Sequence, residues 1–318
     1  MFLNRTGLTP ALWLTVLLLC ALMPGCGGGK NSSGGGPTPG PTVSPPPSVA
    51  SHVFLVVLEN HSFNQVIGSP SMPYLNSLAS QNSLATNYFG NAHPSIGNYF
   101  MLTTGVIEST DDAFTGTVTD DNLVRALSAA GKTWKAYFQS IPSQGYLGPD
   151  VFPYLRHHNP FSYFSDVQSS MAEAANIVPL SQLSTDMSAN ALPAFGFVKP
   201  DVEHDAHDCP GGGAACADSD RLAAADAWLQ QNIDPLIKSQ AFSGGVLIIT
   251  WDEGQPSDPA NGGGQVATML LGNGVKTKFT SGTMFQHQST LRLILDLLGV
   301  TNHPGASATA PGMGEFFQ

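Results

Sequence analysis

The chain has 318 residues, is 42% hydrophobic and only 11% charged, and carries 34 glycines and 24 prolines. This allows one large, loop-rich folded domain once the first ~50 residues are set aside, and long apolar runs exclude a disordered chain. The formal net charge of −11 argues against sequence-independent nucleic-acid binding, which needs lysine and arginine to displace counterions, so no nucleic-acid partner is expected. An anionic substrate would have to be drawn in by something local, such as a metal ion or a helix N-terminus.

The N-terminus reads as a targeting segment. Arg5 supplies positive charge, and the apolar run Ala11 to Met23 is short for a membrane span but fits the h-region of a signal peptide. Met23-Pro24-Gly25-Cys26 resembles a bacterial lipobox. On that reading residues 1–26 are a signal peptide with lipobox, Cys26 is lipidated, and the chain is exported and held at a membrane by its N-terminal lipid. An ordinary signal peptide cleaved nearby is the other reading. Residues 27–50, rich in Gly, Ser and Pro, form no core and read as a tether. Residues 51–318 are then the catalytic domain.

Beyond the tether, His52 to Leu58 (HVFLVVL) is a near-continuous apolar run and predicts a strand buried on both faces of a parallel sheet. Pro73 to Gln81 predicts a helix. Ser95 to Leu102 starts another, and Asp121 to Ala130 a third, ended by Gly131. Thr133 to Phe138 predicts a strand. Ile141 to Ala189, rich in Pro, Ser and aromatics, reads as loops and short helices over one edge, with Tyr146 to Phe164 as one wall of a pocket. Ala194 to Lys199 predicts a strand, Asp218 to Gln231 a helix, Gly245 to Thr250 and Val266 to Leu271 two strands, and Gln288 to Leu298 an amphipathic helix stopped by Gly299. Alternation of strands and helices predicts an α/β fold, with a mainly parallel central sheet flanked by helices on both faces.

In such sheets ligands bind beyond the carboxyl ends of the strands. Two of the most apolar strands end alike: the first runs into Glu59-Asn60, the later one into Asp252-Glu253. Either pair alone is ordinary strand-end polarity. Together they put four oxygen ligands on one rim, a set suited to a divalent metal ion of unspecified identity. Ser95, after His-Pro and before a helix, is either a simple N-cap or a nucleophile placed where free N–H groups favour a phosphate. Asn98, one turn on, is placed to donate to a phosphoryl oxygen. Lys199 to Asp208 (KPDVEHDAHD) packs His204, Asp205 and His207 after a strand, a density that points to metal or phosphate contact. His287 is a further candidate, or a packing histidine. Cys209 and Cys216 flank a glycine-rich loop and read as a disulfide in an exported protein, with metal ligation as the other reading.

The segments ENHSF from Glu59, HPSIGNY around Ser95, DVEHDAHD and IITWDEG occur in this order, and they resemble the phosphoesterase family of bacterial acid phosphatases and phospholipases C, within the alkaline-phosphatase-like superfold. The similarity spans about Val53 to Val300. It implies that Glu59, Asn60, Asp252 and Glu253 are metal-site positions, that Ser95 is the phosphorylated nucleophile, and that His204 stands near the phosphate and leaving group. Gly97 replaces the proline of the usual His-Pro-Ser-x-Pro-Asn-Tyr motif, and Glu253 replaces an aspartate. The resemblance implies metal-dependent hydrolysis of a phosphate-ester substrate through a phosphoserine.

Other motifs fail. Gly131-Lys132-Thr133 lacks the first P-loop glycine, because Ala126 stands there. His93 replaces the first glycine of a serine-hydrolase elbow around Ser95, which leaves a carboxylester hydrolase as one alternative. A catalytically silent surface-binding lipoprotein is another. Substrate, metal number and oligomeric state are not readable from the chain.

Overall fold

A computed structural model describes residues 49–318. The expected signal peptide, with Cys20 and Cys26, and the expected tether through Ser48 lie outside the described residues.

In chain order the strands and longer helices are β1 (His52–Leu58), α1 (Pro73–Gln81), β2 (Ser83–Phe89), α2 (Ile96–Thr104), α3 (Leu123–Ala129), β3 (Trp134–Phe138), β4 (Ile177–Pro179), α4 (Ser181–Ser188), β5 (Phe195–Lys199), α5 (Asp218–Asn232), β6 (Gly245–Trp251), β7 (Gln265–Gly272), β8 (Phe279–Ser281), β9 (Phe285–Gln286) and α6 (His287–Leu297). All nine strands form one sheet in the order β4-β3-β5-β1-β6-β7-β2-β8, with β9 beside β2. β1, β3, β4, β5 and β6 run parallel, whereas β7 is antiparallel to both β6 and β2. The expected α/β architecture with a mainly parallel sheet flanked by helices is the one found.

β1 lies at the centre, between β5 and β6, and its last six residues are buried. That is why its sequence shows no polar alternation: both faces are covered. The close packing has a local requirement at Gly196 on β5, where a Cβ would meet the Phe54 ring at 2.3 Å. Phe54 in turn stacks near Tyr137 and meets Phe242 edge-on. α1 packs on α5, and α2 packs on α6 and α3. α3 starts at Asn122, whose side chain accepts from the Arg125 N–H, one of the donors a helix start leaves free.

β2 was not expected. Its sequence SLATNYF mixes polar and apolar residues without strict alternation, and its ladder with β7 shifts register between Ala85 and Tyr88. An irregular strand far from the sheet centre leaves no clean period-2 signal. In the aromatic stretch Tyr154, Phe161, Tyr163 and Phe164 are buried in the core, while Val151 and Phe152 stand exposed. Its inner residues form a layer of the domain, and Phe152 lines a cavity together with His207 and Asp208.

Candidate active site

The site forms where β1, β5 and β6 end. Leu58 pairs with Trp251, so the next residues, Glu59 and Asp252, emerge side by side at the carboxyl rim. Asn60 has φ 50°, a left-handed conformation uncommon outside glycine and asparagine, and it turns the chain sharply after Glu59. The turn brings its N–H to Asp252 Oδ1 at 3.1 Å. Glu59, Asp252 and Glu253 are all buried.

Ser95 precedes α2 and is buried. Its hydroxyl makes no capping bond. Instead it donates to Glu59 Oε2 at 3.1 Å and lies 3.5 Å from Asn60 Oδ1. Asn98 accepts from the Asn91 and Ala92 N–H groups, and donates to Ala92 O and to Glu253 Oε2. With both amide protons engaged, it pins the loop before Ser95 and holds Glu253.

Glu59 is the hub. Its Oε1 accepts from the Tyr99 hydroxyl, and Lys199 Nζ stands 3.0 Å away. Lys199, at the end of β5, also lies 2.5 Å from Asp205 Oδ2. His158 Nε2 is 3.5 Å from Glu59 Oε1, and its ring stacks on Tyr99. Burial by itself would raise the Glu59 carboxyl. The neighbouring His158 imidazole and Lys199 ammonium outweigh it and hold the group well below the usual carboxylate range. Lys199 supplies the charge, since burial keeps His158 neutral, whereas the two carboxylates hold Lys199 protonated against its own burial.

The opposite holds across the rim. Burial first, then the neighbouring Glu59 and Glu253 charges, push Asp252 well above its ordinary value. Burial, Glu59 and Asp112 push Glu253 up to about 9. Asp252 Oδ2 is buried with no hydrogen-bond partner. An unpartnered carboxylate oxygen beside like charges is costly unless something positive joins it. Glu59, Asn60, Asp252 and Glu253 offer oxygen only, the donor chemistry of a hard or borderline divalent ion, so the residues fit one. Among the described residues, Glu59, His158 and Asp205 also bring ligand atoms within 4.8 Å of one another.

The histidines divide. His204 is half-exposed, with Nδ1 2.6 Å from Asp201 Oδ1 and near Gln139, and it makes no recorded contact with Ser95, Glu59 or Asp252. Two residues on, Ala206 has φ 81° and reverses the chain. Asp205 and His207 thereby face the cluster: the His207 ring lies 6.2 Å from that of His158, and its Nδ1 is 2.7 Å from Asp208 Oδ1. His287, at the head of α6, is fully buried. Its Nε2 donates to the backbone oxygen of Asp252, and its Nδ1 faces the Tyr88 hydroxyl, so it holds the Asp252 backbone in place. Cys209 and Cys216 are joined as a disulfide.

Sequence reading missed His158, Tyr99 and Lys199. His158 lay in a segment read as covering loops, Tyr99 closed the HPSIGNY segment without a role, and Lys199 began the His/Asp cluster without one. The available signals were that motif position and a lysine closing an otherwise apolar strand.

The Phosphoesterase family model matches residues 69–301, a range that holds Ser95, the His/Asp cluster and Asp252-Glu253 but begins after Glu59-Asn60. A phosphatidylinositol-3-phosphatase of Mycobacterium tuberculosis is 28% identical over 82% of this chain and 80% of that protein. A probable acid phosphatase of Kluyveromyces lactis is 26% identical over 79% of this chain, which spans only 60% of the yeast protein. Among solved structures, a Vibrio parahaemolyticus protein in the alkaline phosphatase superfamily superposes with TM-score 0.59 at 13% identity, covering 83% of this chain and 72% of that one. The lipoteichoic acid synthase LtaP of Listeria monocytogenes gives 0.57 at 13% identity, covering 85% and 76%. These two likenesses show the fold alone.

Proposed function

This chain belongs to the Phosphoesterase family and is a hydrolase of phosphoric ester bonds; from that premise we propose that it works with a divalent metal ion and through a phosphoserine on Ser95. The observation that carries the reading is the state of Ser95: a buried serine at a helix start that does not cap, bonded instead to Glu59 beside an unpartnered Asp252 oxygen.

Asn60, Asp252 and Glu253 would hold the ion, with the Glu59 carboxylate beside it. A bound divalent cation supplies a lowered serine pKa and neutralisation of phosphoryl charge. The rest falls to the chain's own groups. Ser95 commits its proton to Glu59 Oε2, which leaves Oγ lone pairs for phosphorus. The Oγ–P bond forms as the ester P–O bond breaks, and His207, oriented by Asp208, gives the departing alcohol its proton. Burial pulls His207 down, but Glu59, Asp205 and Asp208 raise it beyond that, which favours the proton-bearing form. Buried His158 offers a neutral imidazole beside Glu59. Water then cleaves the phosphoserine: the O–P bond to water forms as the Oγ–P bond breaks, water's proton goes to His207, and Glu59 returns its proton to Ser95 Oγ.

The substrate is a phosphate ester, of the acid-phosphatase or phospholipase C-like kind. The M. tuberculosis relative, a phosphatidylinositol-3-phosphatase, makes a phosphoinositide headgroup the first ester to try. We also read the protein as exported and anchored through Cys26, on the strength of the apolar run, the cysteine and the tether.

The test is release of nitrophenol from a chromogenic phosphomonoester and phosphodiester by the purified full chain, with and without chelator. Chelator-sensitive turnover is expected. Acid quench during turnover of a radiolabelled ester should trap phosphate on Ser95, and Ser95→Ala should lose at least about a thousandfold in kcat with metal content unchanged. Near-normal turnover in that variant would remove Ser95 from the nucleophile role.

A further inference from the structure

We propose that the Lys199 ammonium is a built-in second cation: it fills the space between Glu59 and Asp205 and limits the chain to one divalent ion. The inference rests on the metal reading above and concerns the other flank of Glu59.

By spacing, Glu59, His158 and Asp205 look like a metal site, with ligand atoms within 4.8 Å of one another. Two carboxylates and an imidazole are a donor set that zinc accepts. Lys199 Nζ nevertheless lies among them, 3.0 Å from Glu59 Oε1 and 2.5 Å from Asp205 Oδ2. It is 1% exposed, so it cannot swing out to water. An ammonium has donors and no lone pair, and it repels a dication at this range rather than sharing its ligands. His158 gives a second, independent sign. Its Nε2 is buried without a hydrogen-bond partner, 3.5 Å from Glu59 Oε1. An imidazole nitrogen left idle beside two carboxylates is a ligand atom whose ion has been replaced.

The arrangement divides the work of Glu59. Oε1 faces Lys199, Tyr99 and His158, while Oε2 faces Ser95. The lysine neutralises one flank permanently, so a single exchangeable ion on the Asn60–Asp252 side completes the charge balance. β5 places Lys199 for this: Lys199 is its last residue and pairs with Phe138 of β3.

The experiment is zinc stoichiometry per folded chain, by elemental analysis after equilibrium dialysis and by titration calorimetry, on the full-length protein. Wild type should hold one zinc. Lys199→Met, which keeps length and apolar stem but removes the charge, should hold two, and the second should raise its melting temperature beyond the wild-type response. Lys199→Met/Asp205→Asn should return to one, and Lys199→Arg should stay at one. Two ions in wild type, or one in a folded Lys199→Met chain, would overturn the proposal. So would a Lys199→Met chain that stays unfolded in saturating zinc, because the ion then fails to replace the ammonium. Wild type that holds neither zinc nor calcium, magnesium or manganese would sink the metal reading itself, and this proposal with it.

Discussion

Glu253→Gln tests the electrostatics of the rim directly, because it should move stability in opposite directions with and without metal. In the metal-free chain burial, Glu59 and Asp112 raise Glu253 from 4.5 to about 9, against His93, whose Nδ1 lies 3.1 Å from Glu253 Oε2. At neutral pH the folded protein therefore holds a proton on Glu253 that the unfolded chain has released. That uptake costs about 3 kcal/mol at neutral pH, and the cost grows from the unfolded pKa up to the folded one. Metal-free stability should thus decline as pH rises between 4.5 and about 9. Glutamine keeps the shape and can still accept from Asn98, which now donates to Glu253 Oε2 at 3.2 Å. In excess chelator at neutral pH, Glu253→Gln should raise the melting temperature by roughly 5–10 °C and flatten its pH dependence. With saturating metal the order reverses, since a ligand is lost and the metal-induced rise shrinks. Differential scanning calorimetry across a pH series, with and without chelator, reads all of this. A variant less stable than wild type in chelator, or with an unchanged pH slope, would refute the reasoning and show that the Asn98 bond outweighs the buried-charge cost.

Two further outcomes are expected. Asp186 is buried and takes Lys135 Nζ at 2.6 Å, the Tyr137 hydroxyl at 2.7 Å and Gln182 at 2.9 Å. Burial raises its carboxyl, but these partners lower it further, so its stabilisation is present above the unfolded value of 3.8 and is lost as pH falls through the folded value. Asp186→Asn should cost roughly 2 kcal/mol at neutral pH by urea unfolding, and the gap to wild type should close in acid; a gap independent of pH would assign the effect to packing. Cys26→Ser should release the protein from the membrane fraction of producing cells without altering turnover, and retention in that fraction would remove the lipid anchor.

Much of the site was readable from local signals. β1 and β6 are apolar on both faces, so their runs stand out, and the oxygen-bearing residues that follow them must sit at one rim of a parallel sheet. The dense His/Asp cluster announced itself by composition. The choice among its histidines did not, because it depends on one backbone reversal at Ala206, with φ 81°, in a residue type that rarely adopts it. His204 and His207 are equivalent in sequence and are separated only by that turn.

What the sequence by itself determined was the strands β1, β3, β5, β6 and β7, the rim and the kinds of atom gathered there, because hydrophobic period and strand-end polarity are short-range properties. What only the tertiary structure decided was which charges meet. Tyr99, His158 and Lys199 come from a helix, a loop segment and a third strand, up to 140 residues from Glu59 along the chain, and they act on it only because buried charges couple strongly over a few ångströms. Burial raises both Glu59 and Asp252; it is the company each keeps, His158 and Lys199 beside the one and acids beside the other, that gives these two acids, alike in the sequence, opposite protonation tendencies.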